Sequence, residues 1–281
     1  MSGIMELSKI PRPRWRARLA SERVANALLQ LAMVSVTLLV WEFASRWLHA
    51  EFWISRPSAV AEALVVWEKS GTLSSDLQMT LTEAGVGFLI GSVAGALVGF
   101  VLGWVPRLGK LFEPLVLSLY TLPKVALAPL FVLWFGIGPE NKIMFSALLV
   151  FFMVFFTTFQ GTRQVDRDLV ANARLLGASP FAIWTKIAVP FAAVWVFTGV
   201  RIGLPYALIG AIVGEFVAAD SGVGFRIKEA TSFFDTATVF AGLVVLMAIS
   251  MILLTLLKLF EMRLMHWQTP GDVIDTEAGT L

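Results

Sequence analysis

The stretch "AGVGFLIGSVAGALVGFVLGWVP" (Ala84–Pro106) runs for 23 residues without a charged side chain. A run of about 18 or more apolar residues is long enough to cross a bilayer as a helix. Glycine returns in it at every fourth position, at Gly87, Gly91, Gly95, Gly99 and Gly103. That spacing puts the glycines on one helix face, where a second helix can approach closely. We therefore predict a tightly packed transmembrane helix, with a pore-lining stripe as the alternative.

Five further apolar runs extend this prediction to most of the chain. Three of them carry no charge, namely Val24–Trp41, Ile143–Thr162 and Thr236–Leu257. Two carry a single cation, because Pro114–Pro139 contains Lys124 and Ile187–Gly214 contains Arg201. The whole chain is 57% hydrophobic and only 15% charged. The sequence therefore predicts an all-α, multi-pass membrane bundle of about six transmembrane helices.

The basic residues are distributed unevenly along this predicted bundle. Six of the 22 Lys and Arg residues precede the first apolar run, and with the N-terminus in the cytoplasm 14 fall in cytoplasmic segments against six outside. By the positive-inside rule we expect both termini in the cytoplasm. The chain then divides into a basic tail (1–23), a six-span domain (24–264) and a polar cytoplasmic tail (265–281). Nucleic-acid binding or a cleaved signal peptide is the alternative for the basic tail.

The segment between the first two predicted spans, roughly His49–Thr80, is expected to be the longest outside loop. Within it, "RPSAVAEALVVWEKSG" (Arg56–Gly71) is amphipathic, with Pro57 near its start and Gly71 at its end. Those positions are typical helix boundaries. We expect a short helix lying on the outer membrane surface.

Prolines lie inside two of the predicted spans, with Pro123 and Pro129 in the third and Pro205 in the fifth. Proline removes a backbone hydrogen bond and kinks a helix, and broken helices at membrane depth are tolerated where they line a cavity or are buried in protein. We therefore expect these two helices to line the translocation pathway. The residues predicted for it are Lys124, Pro129, Arg201, Pro205 and Glu215.

Two cations, Lys124 and Arg201, fall well inside predicted spans, and neither of their apolar runs contains an acidic residue. A charged side chain within the membrane is costly and marks a functional site by default. The pattern favours a small anion as the transported solute. The alternative is a structural role, in which the cations bind helix-end carbonyls or a carboxylate brought near by folding, such as Glu83.

Several kinds of chemistry are absent from the sequence. Without cysteine there is no disulfide and no Cys-based metal site, and the two histidines, His49 and His266, are far apart. The stretch "GWVPRLGKL" (Gly103–Leu111) lacks the spacing of a phosphate-binding loop. No catalytic triad or carboxylate pair is legible. We therefore expect neither an enzyme nor a chain with a metal or cofactor of its own.

The stretch "ARLLGASPFAIWTKIAVP" (Ala173–Pro190) lies between the fourth and fifth predicted spans, in a cytoplasmic loop of about residues 163–186. A short helix is predicted there, with aspartates near its start and an arginine near its end, the order that the helix dipole favours. Gly177 is typical of a helix end, and Ser179 followed by Pro180 predicts a new N-cap and first residue. The loop either rests on lipid headgroups or docks a soluble partner.

The same loop resembles the EAA loop of binding-protein-dependent ABC importer permeases. Its pattern here is Ala171-Asn172-Ala173, three residues, Gly177, nine residues, then Ile187-x-Val189-Pro190. Further stretches are similar to the permeases for nitrate, taurine, aliphatic sulfonates and bicarbonate, namely "PKVALAPLFVLWFGIG" (Pro123–Gly138), "FTGVRIGL" (Phe197–Leu204) and "FVAADSGVGF" (Phe216–Phe225). The resemblance covers roughly Trp53 to Arg263.

Two positions depart from the family pattern. The family's glutamate is Ala171 here, and the first of its alanines is Asn172. That glutamate is thought of as an ionic link to the ATPase subunit, which an alanine side chain cannot form. Asp168, one turn earlier, is the expected substitute, and the central Gly177 is retained.

The resemblance implies the permease subunit of an ATP-driven importer in the bacterial inner membrane. A separate ATPase dimer would bind ATP and Mg²⁺ and dock on the loop, and an extracytoplasmic binding protein would deliver the solute. A second permease chain is implied as well, and we expect it to be a second copy. The residues expected to contact the ATPase are Asp168, Ala171, Asn172, Ala173, Arg174, Gly177, Ala178, Ser179 and Pro180.

Two other classes of protein stay open from the sequence. A secondary transporter usually has acidic coupling-ion sites at mid-membrane and often an inverted repeat, and neither is visible. A membrane scaffold without ATPase coupling would not need kinked spans that carry cations. No nucleic-acid partner is expected.

Overall fold

A computed structural model describes residues 15–264, which form two compact units, one up to Glu62 and one from Ala63. The helices of the first unit are α1 (Trp15–Trp47), α2 (Glu51–Ile54) and the beginning of α3 (Pro57–Lys69). After the end of α3, the second unit contains α4 (Thr72–Trp104), α5 (Pro106–Thr121), a 3₁₀ turn (Lys124–Leu127), α6 (Ala128–Phe135), α7 (Pro139–Thr162), α8 (Arg167–Leu175), α9 (Pro180–Ile183), a π-helical segment (Trp184–Ala188), α10 (Val189–Val217), α11 (Val223–Ser232) and α12 (Thr236–Leu264). The described residues contain no strand, in agreement with the predicted all-α class.

The number of membrane spans agrees with the prediction. Five helical segments are long and apolar enough to cross a bilayer, namely Leu28–Trp47, Thr72–Trp104, Pro139–Thr162, Pro180–Val217 and Thr236–Arg263. Pro106–Thr121 and Lys124–Phe135, which are bent by 82° relative to each other, bring the number to six when they are counted together as one broken span.

The ends of the first two spans differ from the predicted ones. Because α1 begins at Trp15, the boundary predicted at residue 23 falls inside a helix. Because α4 begins at Thr72, the outside loop predicted to reach Thr80 ends earlier. Asp76 and Thr80 in the first turns of α4 are buried, whereas Ser74, Ser75 and Gln78 are exposed on a helix rather than on a loop. Residues 1–14 of the basic tail and the polar tail 265–281 lie outside the described residues.

Two of the three prolines predicted to bend spans lie at the break in the broken span. Pro123 precedes the 3₁₀ turn, and Pro129 lies in the first turn of α6. Pro205, where a kink is expected, does not interrupt α10, which continues through it as one helix. Both halves of α10 lie against α7, at Gly203 on one side of the proline and at Gly210 on the other. Neighbouring helices can thus support a proline inside a transmembrane helix.

A carboxylate on α1 organises the first unit. Glu42 Oε2 accepts a hydrogen bond from Ser58 N at 3.0 Å, and Glu42 Oε1 accepts one from Ser58 Oγ at 2.9 Å. Because Ser58 lies in the first turn of α3, the carboxylate occupies the N-terminal end of that helix, where negative charge is stabilising. The short helix predicted after Pro57 is therefore present and capped by a residue from α1.

The core of the second unit consists of α4, α7 and α10, with α7 in contact with both of the others. The glycine stripe of α4 lies against the backbone of α7, so that a Cβ added at Gly95 or Gly99 would come within 2.7 Å of an α7 carbonyl oxygen. On the α10 side, Ser146 Oγ donates a hydrogen bond to Ala207 O at 2.9 Å. Helices that approach this closely gain van der Waals contact along their backbones.

Candidate functional site

The loop between α7 and α10, residues 163–186, is called the elbow below, and its first helix is capped by its own neighbours in sequence. Asp166 Oδ1 accepts hydrogen bonds from Asp168 N at 2.8 Å and from Leu169 N at 3.4 Å, which makes Asp166 the N-cap of α8. Arg174 lies in the last turn of the helix. This order of charges is favourable for the helix dipole, as the sequence predicts.

The chain turns sharply after α8 at Gly177. Its φ of +84° is a left-handed conformation that residues with a Cβ rarely adopt. Gly177 N donates to Arg174 O and Ala178 N donates to Ala173 O, both at 3.0 Å, so the last carbonyls of the helix are satisfied. The predicted helix end at Gly177 is therefore present.

The second helix of the elbow begins at Pro180, three residues after Gly177. Ser179 Oγ accepts a hydrogen bond from Ala182 N at 3.2 Å, and Pro180 is the first residue of α9. This is the predicted N-cap and first residue. The π-helical segment then carries the chain into α10. The elbow is thus two capped helices joined at one glycine, and it continues directly into a membrane span.

Large apolar side chains stand out from the elbow. Leu175, Leu176 and Phe181 are 85%, 89% and 72% exposed, and together they are called the elbow patch below. A cluster of exposed apolar side chains is typical of an interaction site. The predicted ATPase contacts around the patch are all exposed or half-exposed, namely Asp168, Ala171, Asn172, Ala173, Arg174, Gly177, Ala178, Ser179 and Pro180.

The helix α8 has two different faces. At 3.6 residues per turn, Ala171 and Arg174 lie on one face, together with Arg167, whereas Asp168 and Asn172 lie on the other. The first face borders a cavity of about 440 Å³ whose opposite wall is the junction of α4 with α5. Two of the predicted ATPase contacts, Ala171 and Arg174, therefore line a cavity within this chain.

Among the predicted pathway residues, Lys124 lies at the bend of the broken span. Its Nζ donates a hydrogen bond to Tyr120 O at 2.8 Å, in the last turn of α5. The same atom lies 5.2 Å from the centre of the Tyr120 ring and 5.0 Å from that of Phe152 on α7. Aromatic faces attract cations, so these rings stabilise the ammonium group. A helix-end carbonyl is one of the partners that the sequence analysis left open.

The structure places Arg201 at the same level of α7 as Lys124. The glycines that flank it, Gly199 and Gly203, lie against Val154 and Val150 of α7, and Lys124 lies over Phe152. Arg201 and Pro205 are half-buried, and Pro129 is exposed. Glu215 lies at a different level of α7 from these residues. The residue before it, Gly214, lies against Lys142 near the start of α7.

Glu215 belongs to a buried polar cluster that the sequence analysis did not assemble. Thr80 Oγ1 donates a hydrogen bond to Glu215 Oε1 at 2.6 Å and accepts one from Val223 N at 2.9 Å. Gly224 N donates to Glu215 Oε2 at 2.5 Å, and a Cβ on Gly222 would overlap the carboxylate. The cluster therefore fixes the start of α11 against α4 and α10.

A buried ion pair lies in the same part of the second unit. Lys142 Nζ is 3.0 Å from Glu83 Oε1, and the two side chains are 1% and 0% exposed. Glu83 is the carboxylate that the sequence analysis offered as a partner for an intramembrane cation. It binds Lys142 instead. Removing one partner of such a pair leaves an uncompensated buried charge.

Asp76 extends the cluster toward the start of α4. Its Oδ2 accepts a hydrogen bond from Trp67 Nε1, and its Oδ1 accepts one from Gly222 N, both at 3.0 Å. Asp76, Thr80 and Glu83 share one face of α4, and they continue the spacing of the glycine stripe toward the start of the helix. The cluster could therefore have been predicted by following the helix face of the glycine stripe back beyond the start of the apolar run.

The chain has apolar spans, a broken helix with an intramembrane cation, and a capped elbow. Together these features are typical of a multi-pass membrane transport protein. Residues 87–266 match the family described as "Binding-protein-dependent transport system inner membrane component". The chain belongs to this family. It is the permease of a binding-protein-dependent ABC importer, an inner-membrane protein that works with an ATPase and a binding protein and is not itself an enzyme. Family membership decides against a secondary transporter and against a membrane scaffold.

Similar permeases and one solved structure agree with this assignment. The permease protein SsuC of Bacillus subtilis (strain 168), whose name assigns it to aliphatic sulfonates, is 35% identical over 199 residues, or 71% of this chain and 72% of SsuC. The taurine transport system permease protein TauC of Escherichia coli (strain K12) is 29% identical and covers 93% of this chain and 95% of its own. The riboflavin transport system permease protein RibX of Chloroflexus aurantiacus is 32% identical over 220 residues, or 78% of this chain and 82% of RibX.

The fold is also similar to a chain in an inward-facing structure of the MetNI methionine ABC transporter. The TM-score is 0.57 at 21% sequence identity, and the match covers 69% of this chain and 94% of that one. The likeness therefore concerns the arrangement of the helices.

Proposed function

We propose that the ATPase subunit docks on the elbow of this permease. The observation that carries the proposal is the elbow patch, since Leu175, Leu176 and Phe181 are exposed while the helices beneath them are capped. Full burial of one large apolar side chain contributes about 1.5–3 kcal/mol. A complex in which a partner covers the patch therefore gains this free energy. The elbow helices are already capped, so they do not have to become ordered on binding.

Polar and small residues around the patch complete the proposed docking surface. Asp168 and Asn172 lie on the outward face of α8, and Asp168 would replace the ionic contact of the family's glutamate. The residues with small side chains allow a partner to approach closely, namely Ala173, Gly177, Ala178, Ser179 and Pro180. Ala171 and Arg174 border the cavity on the inward face, where they would support the helix rather than form the outer contact.

A charge placed in the elbow patch tests the docking proposal. Leu176→Asp is expected to lower the amount of ATPase subunit that copurifies with the permease by at least about tenfold, because buried interface side chains dominate binding energy. Phe233→Asp is the matched control, since Phe233 is 78% exposed and follows α11 rather than α8. It is expected to retain the ATPase. Equal recovery of the ATPase with both variants would contradict the proposal.

We propose a small anion, such as a sulfonate, taurine, nitrate or bicarbonate, as the solute. Lys124 and Arg201 lie at one level of α7, which supports a positive potential at that depth of the membrane. The names of SsuC and TauC refer to sulfonates and to taurine, which are anionic or carry an anionic group. The name of RibX refers to riboflavin, so membership of the family alone does not determine the solute.

Removal of the two cations tests the choice of solute. Lys124→Met combined with Arg201→Met is expected to lower taurine uptake by at least about tenfold, because the pathway loses its intramembrane positive charge. Lys228→Met removes an exposed cation from α11 and serves as the control. The measurement is ATP-driven uptake of labelled taurine, nitrate and bicarbonate into vesicles that contain the whole importer. Unchanged anion uptake by a double variant that still assembles with its ATPase would contradict the proposal that the solute is an anion.

We propose that the second permease of the importer is another copy of this chain. Lys124 lies within the broken span and is only half-buried in a single copy. A charged side chain that faces lipid is costly. A second copy placed over the broken span would cover Lys124 and enclose the pathway between the two chains, and two-fold pairs are the commonest form of oligomer.

A further inference from the structure

The cavity beside α8 has a composition that the docking proposal does not use. It measures about 440 Å³ and lies where the end of α4, the end of α7 and the inward face of α8 meet. That volume falls within the range of about 300–1,000 Å³ that is usual for small-ligand sites. Three arginines from two adjoining segments line it, namely Arg163, Arg167 and Arg174.

The remaining lining of the cavity is largely apolar. It includes Trp104 and Pro106 at the junction of α4 with α5, and Val165 and Val170 on the side of the elbow. Tryptophan is enriched where a span meets the membrane surface, which fits the position of Trp104 as the last residue of α4. A ligand that fits such a cavity must be negatively charged at one end and apolar at the other.

The positive charge of the cavity is only partly neutralised within the chain. Arg163 Nη1 lies 2.9 Å from Glu113 Oε1, which holds that arginine in place. No carboxylate of the described residues forms an ion pair with Arg167 or Arg174. The nearest acids along the chain are engaged elsewhere, because Asp166 caps α8 and Asp168 lies on its outward face.

We propose that this cavity binds the phosphate group of an anionic phospholipid from the cytoplasmic leaflet. Basic pockets between transmembrane helices on that side of a membrane bind anionic lipid headgroups. Guanidinium groups fit phosphate oxygens in a two-bond geometry, and the apolar wall accommodates the first carbons of the acyl chains. Soluble phosphate presents the same chemical group, but it has no apolar part to fill that wall. The proposal does not depend on the docking of the ATPase to the elbow patch.

The test measures binding of fluorescent phosphatidylglycerol to the purified importer with its ATPase, with fluorescent phosphatidylcholine as the neutral probe. Arg163→Gln combined with Arg167→Gln is expected to bind phosphatidylglycerol at least about tenfold more weakly. Val170→Trp keeps every charge but fills the cavity, and the same loss is expected. The matched control is Arg107→Gln combined with Lys110→Gln, which removes two exposed cations from the adjoining helix α5 without changing the lining.

The results expected are weak binding by both cavity variants, normal binding by the control, and no displacement by inorganic phosphate. Equal losses in the control would overturn the proposal, since general surface charge would explain them. Displacement by millimolar inorganic phosphate would overturn the lipid source and assign the cavity to free phosphate. Loss of the ATPase from the Arg163/Arg167 variant would overturn it too, by assigning these arginines to the docking surface. Leu176→Asp, by contrast, tests docking and is expected to leave lipid binding unchanged.

Discussion

The ion pair between Glu83 and Lys142 is the most deeply buried charged contact among the described residues. Its 3.0 Å separation joins the start of α7 to α4, and neither side chain is more than 1% exposed. Two charges removed from water repay their desolvation only when each keeps its partner. The stability of the second unit therefore depends on both residues being present or both being absent.

We expect Lys142→Met to lower the free energy of unfolding by about 3–5 kcal/mol, because Glu83 is left buried without a cation. Thermal unfolding of the detergent-purified importer measures the effect. The double variant Glu83→Gln and Lys142→Met lacks both charges of the pair and is expected to recover most of the loss. A double variant as unstable as the single one would show that the charge pair is not the cause.

At the scale of single residues, sequence reasoning succeeded where the interaction is local. The turn at Gly177 and the cap at Ser179 depend on backbone groups that are close in sequence, so the residue types alone predict them. The pairing of Glu83 with Lys142 depends on which helices are neighbours. An apolar run with no acid of its own gives no information about a carboxylate on another helix.

At the scale of helices, the contact between α4 and α7 depends on the absence of side chains at five positions. A Cβ at Gly95 would lie 2.7 Å from Phe151 O and 3.0 Å from Phe155 N, both of which are backbone atoms and cannot turn aside. At Gly85, on the same helix, no atom lies within 4 Å of an added Cβ. The same substitution therefore has opposite consequences at the two glycines.

Gly95→Ala is expected to destabilise the permease by about 1–3 kcal/mol through overlap with α7. Gly85→Ala is expected to be neutral or to stabilise it by up to about 1 kcal/mol, because alanine is the better helix former. The fraction of protein that stays monodisperse after heating, measured by size-exclusion chromatography, compares the two variants. If both alanines lowered it equally, the close approach of α4 and α7 would be in doubt.

The sequence predicted the existence of these helices better than their ends and partners. The glycine stripe indicated a close neighbour, but it contained nothing to identify α7 as that neighbour. Prolines predicted breaks in two spans, yet only the one with Pro123 is broken. The difference is one of tertiary support, since α10 is held against α7 on both sides of Pro205, whereas most of α5 and α6 is exposed in the single chain.

At the scale of the whole molecule, a single copy of the chain leaves Lys124 only half-buried in the broken span. If the second permease is another copy of this chain, two coexpressed copies with different affinity tags are expected to copurify, and random pairing of equal amounts would give about half as much of the second tag as of the captured one. Copies expressed separately and mixed after extraction provide the control. If every preparation contained the ATPase and the captured tag but not the second tag, the partner permease would be a different chain.

The backbone contact between α4 and α7 has a consequence for motion. Over the roughly four and a half turns from Gly87 to Gly103, α4 contributes no side chain to this contact and meets the backbone and the Cβ atoms of α7 directly. If α4 slid along α7, carbonyl oxygens would collide with neighbouring backbone atoms. We therefore expect the two helices to move together as one rigid body. A force applied at the elbow by the proposed ATPase would therefore be transmitted along α7 toward the Glu215 cluster. We therefore expect the movement that opens a route for the solute to occur at the bend beside Pro123 and at the contact with the proposed second permease.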